Sequence, residues 1–324
     1  MPLTFDFPLD QLKEYNGISP RPQDFDQFWE DGLKEMRTTQ PDVQLIPADF
    51  QAPGAECFHL YFTGVGGARI HAKYLRPAKV EKTHPAILMF HGYTGNSGDW
   101  SDKLAYVAQG YSVAAMDCRG QGGLSEDNGG VLGNTHHGQI IRGLADALKG
   151  NPEKLLFRQI FLDAALLANI IMEMPDVDPE RVGATGGSQG GALTVACTAL
   201  EPRIKRAAPT YPFLSDYKRV WEMDQAKDAY KELQEYFRLF DPTHERENEV
   251  FEKLGYIDIQ NLASRIRADV LWTIGLMDTI CPPSSQFAVY NKITSNKTMT
   301  FYPDFGHEPL PELSDKIFQF FMEL

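Results

Sequence analysis

Cysteine is scarce in this sequence: among 324 residues there are four, Cys57, Cys118, Cys197 and Cys281, scattered without CxxC spacing. That distribution fits neither a disulfide framework nor a zinc knuckle, and free thiols are the expectation. Long apolar runs are missing too. Nowhere do the eighteen or so consecutive apolar residues of a membrane helix occur. Cations are in deficit, with 31 Lys and Arg against 44 Asp and Glu and a formal net charge of -13. Such a chain repels nucleic-acid phosphates and anionic membrane surfaces, so small neutral or cationic molecules are the expected partners. The opening MPLTFDFPLDQLKEY lacks a basic start and places Asp6 and Asp10 inside what would be the apolar core of an export signal. A soluble, cytoplasmic protein is expected. Metal ligands do not gather in threes: Cys57 with His59, and the pair His136-His137, each lack a third neighbour, so no metal site is expected.

What is present suffices for a large core. Hydrophobic residues make up 43% of the chain and aromatics 11%, which suits a single domain over residues 1–324. QDFDQFWEDGLKEM spaces Phe25, Phe28, Trp29, Leu33 and Met36 as one helix face, with Asp24 placed to cap its start. The runs ECFHLYFTGV and ARIHAKYLRP read as a hairpin joined through Gly66-Gly67. Residues 1–80 are thus expected to form a helix-and-hairpin extension. Beyond them, short and almost wholly apolar runs (AILMF, SVAAMD, RVGAT, IKRAAPTY, VLWTIG) alternate with helix-like stretches such as KLLFRQIFLDAALLANIIMEM. This is the pattern of an α/β fold with a mostly parallel sheet buried on both faces. The charged, aromatic interval 215–266 breaks the rhythm and predicts a helical insertion near the C-terminal edge of the sheet, where ligands bind in open α/β folds.

The sharpest motif is GGSQG at residues 186–190, which fits G-x-S-x-G between the strand-like RVGAT and the helix-like GALTVACTAL. Ser188 is therefore the candidate nucleophile; the alternative is a polar residue capping the next helix. A serine needs a histidine base, and the base needs a carboxylate to fix its tautomer. Asp278 follows the strand-like VLWTIG, and His307 lies in DFGHEPL after KTMTFYP, in the order Ser, Asp, His that this strand-elbow-helix arrangement requires. Asp304 and Glu308 compete with Asp278 as orienter but share the histidine's own loop. His136, His137 and His244 read as solvated loop residues. Acyl transfer also needs backbone donors for the oxyanion. Gln189, following the nucleophile, offers one N–H, so changing its side chain is expected to do less damage than shifting the elbow itself; Tyr93, in FHGYTGNSGDW after AILMF, offers the second. Tyr93 and Trp100 are candidates to line the pocket.

The combination of RGQGG at residues 119–123, GGSQGG around Ser188 and GHE at residues 306–308, with YPFLSDY after the next strand, resembles carbohydrate esterase family seven, the acetyl xylan esterases and cephalosporin C deacetylases. The resemblance covers essentially the whole chain. It implies an α/β-hydrolase fold and a cofactor-free serine carboxylesterase that removes acetyl groups from xylo-oligosaccharides, other acetylated sugars and cephalosporin C. It also implies a homohexamer with active sites facing an internal cavity, and structural roles for Arg119 and Gln121. Two other readings stand beside it: a serine esterase or peptidase of different acyl specificity, and a non-catalytic α/β-hydrolase scaffold used for binding.

Overall fold

The computed structural model describes residues 5–79, 82–128, 135 and 137–324. His136 of the histidine pair lies outside them. Among the described residues the strands are β1 (Gln44–Pro47), β2 (Ala55–Thr63), β3 (Arg69–Pro77), β4 (His84–Phe90), β5 (Ser112–Met116), β6 (Val177–Gly187), β7 (Arg206–Thr210), β8 (Asp269–Gly275) and β9 (Lys297–Tyr302). They form one sheet in the order β1-β2-β3-β5-β4-β6-β7-β8-β9. From β4 to β9 all pairings are parallel. The helices are α1 (Leu9–Glu14), α2 (Phe25–Thr38), α3 (Leu104–Ala108), α4 (Leu144–Ala147), α5 (Leu156–Met172), α6 (Gln189–Leu200), α7 (Tyr217–Glu222), α8 (Lys231–Phe240), α9 (Glu247–Leu254), α10 (Pro283–Tyr290) and α11 (Leu313–Phe321).

The apolar runs become the central strands because both of their faces are covered; every residue of β5 is buried. Helices α5 and α6 lie inside the molecule and are buried nearly all round, which is why neither shows a polar face in the sequence. The N-terminal helix docks on this layer. Trp29 stacks on Phe161 with ring centroids 6.1 Å apart, and its indole N–H donates to the Tyr256 carbonyl at 3.1 Å. Asp24 sits at the start of α2 without capping it. Its carboxylate instead accepts the Tyr256 O–H at 2.5 Å, so a tertiary contact has taken the side chain away from the local one.

The predicted hairpin forms, with Gly66 and Gly67 at φ 73° and 85° in its turn. It is not peripheral, because β3 pairs with β5 and makes the hairpin part of the central sheet. Strand β1 has no counterpart among the sequence expectations, since all four of its residues are exposed and carry no burial pattern. The interval after β7 holds α7, α8 and α9, the helical insertion foreseen between residues 215 and 266. All four cysteines are buried and unpaired. Among the described residues no helix is long and apolar enough to cross a membrane.

Candidate active site

Ser188 occupies the single residue between β6 and α6, at φ 58° and ψ -118°. A side chain in that left-handed region is strained and persists only where its surroundings hold it. Here its N–H donates to the Thr210 carbonyl at 3.0 Å, and its own carbonyl accepts the N–H groups of Ala192 and Phe213, each at 3.0 Å. The flanking glycines are required by space: a Cβ on Gly186 or Gly190 would lie 2.5 Å or 2.1 Å from the Phe90 carbonyl oxygen. Without side chains there, the end of β4 presses directly on the elbow.

Asp278 lies just past the end of β8 and is fully buried. Its Oδ2 accepts the His307 Nδ1–H at 2.8 Å, while Oδ1 accepts the N–H groups of Ile280 at 2.9 Å and Cys281 at 2.8 Å. Those bonds leave imidazole Nε2 as the basic nitrogen. His307 follows β9, retains 17% side-chain exposure, and packs against the Tyr211 ring with centroids 4.5 Å apart. Neither competitor orients it: Glu308 accepts the Gly306 N–H at 3.0 Å, and Asp304 is exposed.

The Ser188 side chain lies beside the Cys281 thiol. Burial pushes that thiol well above its ordinary pKa, the Asp278 charge adds to the effect, and the Ser188 contact opposes it. Among the described residues no hydrogen bond joins Ser188 to His307. Asp278, Cys281 and His307 bring potential metal-ligand atoms within 4.8 Å of one another. Both oxygens of Asp278 are already engaged, though, so the cluster is arranged to hold a proton on His307 rather than as an open ligand set.

The loop after β4 approaches the elbow from the other side. His91 ties it down: Nδ1–H donates to the Gly92 carbonyl at 2.7 Å, and Nε2 accepts the Cys118 N–H at 3.0 Å. Burial lowers the His91 pKa, which keeps the ring neutral as this bonding requires. Thr94, at φ 60°, donates its N–H to Gln121 Oε1 at 2.9 Å. Gln121 Nε2 in turn donates to Gln189 Oε1 at 2.7 Å, and Gln189 Nε2 returns a bond to Gln121 Oε1 at 3.0 Å. The Gln189 side chain thus has partners of its own besides the backbone N–H. It is fully buried and joins the elbow to the loop carrying Tyr93. Among the described residues no protein acceptor takes the N–H of Tyr93 or of Gln189.

Arg119 stands behind the site. Its guanidinium binds both oxygens of Asp163, at 2.5 Å and 2.7 Å, and also reaches Gln159 and the Val65 carbonyl. Both charges are buried, and removing one partner of such a pair costs about 3–5 kcal/mol. Trp100 packs between Phe50 and His59. The sequence reading missed Cys281, Tyr211 and Glu232, which accepts the Tyr93 O–H. Two left a signal: Tyr211 opens the YPFLSDY run, and Glu232 is a carboxylate on the apolar face that buries Leu233, Tyr236 and Phe237.

Comparisons with known proteins identify the family. The family model described as Acetyl xylan esterase (AXE1) matches residues 1–324. Acetyl esterase Axe7A of Xylanibacter ruminicola is 27% identical over 305 residues, 92% of this chain, and the chain spans 65% of that protein's length. Acetyl xylan esterase 1 from Thermoanaerobacterium sp. JW/SL YS485 superimposes with a TM-score of 0.95 at 59% identity, covering 98% of this chain and 99% of that one. The acetyl xylan esterase from Paenibacillus sp. R4 does so at 0.92 and 32% identity, with the same coverage. With its mostly parallel sheet flanked by helices, the chain has the α/β-hydrolase fold, and it belongs to the acetyl xylan esterase family.

Proposed function

We propose that this protein is a serine carboxylesterase that removes acetyl groups from acetylated xylo-oligosaccharides, other acetylated sugars and cephalosporin C. The observation that carries the reading is the buried Asp278 carboxylate hydrogen-bonded to His307, beside a serine held in a strained elbow. Ser188 Oγ attacks the acetyl carbonyl carbon and passes its proton to His307 Nε2. The N–H groups of Tyr93 and Gln189 receive the developing oxyanion. Collapse breaks the ester C–O bond, and the imidazolium returns its proton to the departing alcohol. Water then attacks the acetyl-enzyme with His307 again as base, releasing acetate and restoring Ser188. No cofactor is needed, and Arg119 and Gln121 support the site without touching the reacting atoms.

The four unpaired thiols support a reducing, cytoplasmic setting. The homohexamer rests on the resemblance to carbohydrate esterase family seven; the edge strand β1, which exposes Leu45 and Ile46, supports only pairing between copies.

The experiment is acetate release from acetylated xylo-oligosaccharides and from cephalosporin C, with Ser188→Ala as control. The variant is expected to fold normally and lose roughly four to six orders of magnitude in kcat, as other triads do. A folded Ser188→Ala protein with near-native turnover overturns the assignment, and a native protein that releases acetate from neither substrate overturns the substrate class.

A further inference from the structure

Glu232 is a carboxylate in an unusual place. It stands on the buried face of α8 and is only 8% exposed, where an unsatisfied charge costs several kcal/mol. Its partners are backbone amides and one phenol. Oε2 accepts the N–H groups of Gln139 at 2.8 Å, Ile140 at 2.8 Å and Ile141 at 3.1 Å. Oε1 accepts the Gln139 N–H at 3.0 Å and the O–H of Tyr93. The turn is shaped around the carboxylate: Gly138 has φ +72°, and a Cβ there would lie 2.5 Å from Oε2.

Tyr93 is the residue whose N–H faces the chemistry under the proposed function. Its peptide is fixed from several directions. His91 holds the preceding carbonyl of Gly92, and Gln121 holds the following N–H of Thr94. The Tyr93 ring packs on Phe213 with centroids 5.5 Å apart, and Phe213 is the residue whose N–H holds the Ser188 carbonyl. The Glu232 contact anchors the hydroxyl end of the Tyr93 ring.

We propose that Glu232 is a positioning residue that, through the phenol of Tyr93, aims the Tyr93 N–H at the oxyanion and so couples the helical insertion to acyl transfer. The inference rests on the esterase reading and on the role of the Tyr93 amide within it. An oxyanion donor acts only when its hydrogen lies in hydrogen-bond range of where the charge develops, and a displacement of about 1 Å in such a site costs on the order of a hundredfold in rate. Ground-state binding of the sugar does not use this amide in the same way, so the effect falls on kcat and not on KM.

The test compares Glu232→Gln, Tyr93→Phe and the double variant on p-nitrophenyl acetate, with thermal unfolding as a fold check. Each single change is expected to lower kcat by about tenfold to a hundredfold while KM stays within about twofold. Affinity for a small alkylboronic acid, which forms a tetrahedral adduct on the serine, falls by the same factor. The double variant is no worse than the weaker single, because one contact has been broken twice. Because Glu232→Gln also disturbs residues 139–141, Tyr93→Phe decides the matter if the first variant fails to fold. Native kcat in folded Tyr93→Phe, a loss confined to KM, or additive losses in the double variant overturn the proposal. A native enzyme without acetyl-ester hydrolysis overturns the functional reading itself, and with it this inference; an active native enzyme with unaffected variants overturns the inference alone.

Discussion

At the scale of single residues, the site works through neighbours as much as through the reacting groups. Gln189 contributes a backbone N–H, but its amide side chain forms a closed pair with Gln121, which also holds the Thr94 N–H. Gln189→Ala removes the hydrogen bonds between its buried amide and the half-buried Gln121, a net loss of about 0.5–1.5 kcal/mol for such a bond. We expect a lower unfolding temperature together with a clear drop in kcat, read by thermal melting and p-nitrophenyl acetate turnover; native kcat in this variant would show that the side-chain pair does not hold the oxyanion loop. Much of the candidate triad was legible in sequence because each member follows a strand that an apolar run announces: RVGAT for Ser188, VLWTIG for Asp278, KTMTFYP for His307. Cys281 was not, because a thiol after a strand carries no local mark of what it will touch. The pairing of the Gln189 side chain left no local mark either, its partner being 68 residues away.

At the scale of elements, the N-terminal segment and the insertion are tied together by two buried carboxylates. Asp216 accepts the Tyr15 O–H at 2.6 Å and the N–H groups of Ile18 and Ser19, while Asp258 accepts the Asp216 N–H at 2.9 Å. Burial and the nearby Asp216 charge raise the Asp258 pKa to about 7, against hydrogen bonds from Gln260 and Asp216 that pull it down. Lys292 lies close by and donates to the Gln260 side chain. The folded state therefore holds a proton that the unfolded chain has already released. A group with a raised folded pKa gives its full stability below the unfolded value, and that stability drains away as pH rises through the folded one. Unfolding temperature should fall as pH is taken from about 5 to about 8, and Asp258→Asn should flatten that slope. An unchanged slope in the variant assigns the titration elsewhere. The central strands were readable from their apolar runs, whereas β1 was not, since an exposed edge strand is defined only by the partner it pairs with. Asp24 shows the converse: its local capping signal was sound, and a distant tyrosine outcompeted it.

At the scale of the whole molecule, the sheet brings groups from residue 91 to residue 307 to one end, while its far edge presents β1 with exposed Leu45 and Ile46 and, just beyond, Phe50. A homohexamer in solution is the expected state, and a native mass corresponding to a lone chain at micromolar concentration contradicts it. The sequence predicts the insertion near the C-terminal edge of the sheet, and the structure adds that one of its helices reaches the loop beside the nucleophile through Glu232. The cysteines have a use of another kind. They sit on β2, after β5, within α6 and after β8, all buried, so a thiol reagent in solution meets none of them until that part of the molecule opens. Each alkylation rate then times the breathing of its own region, and the molecule carries four internal clocks for local unfolding without any label being added.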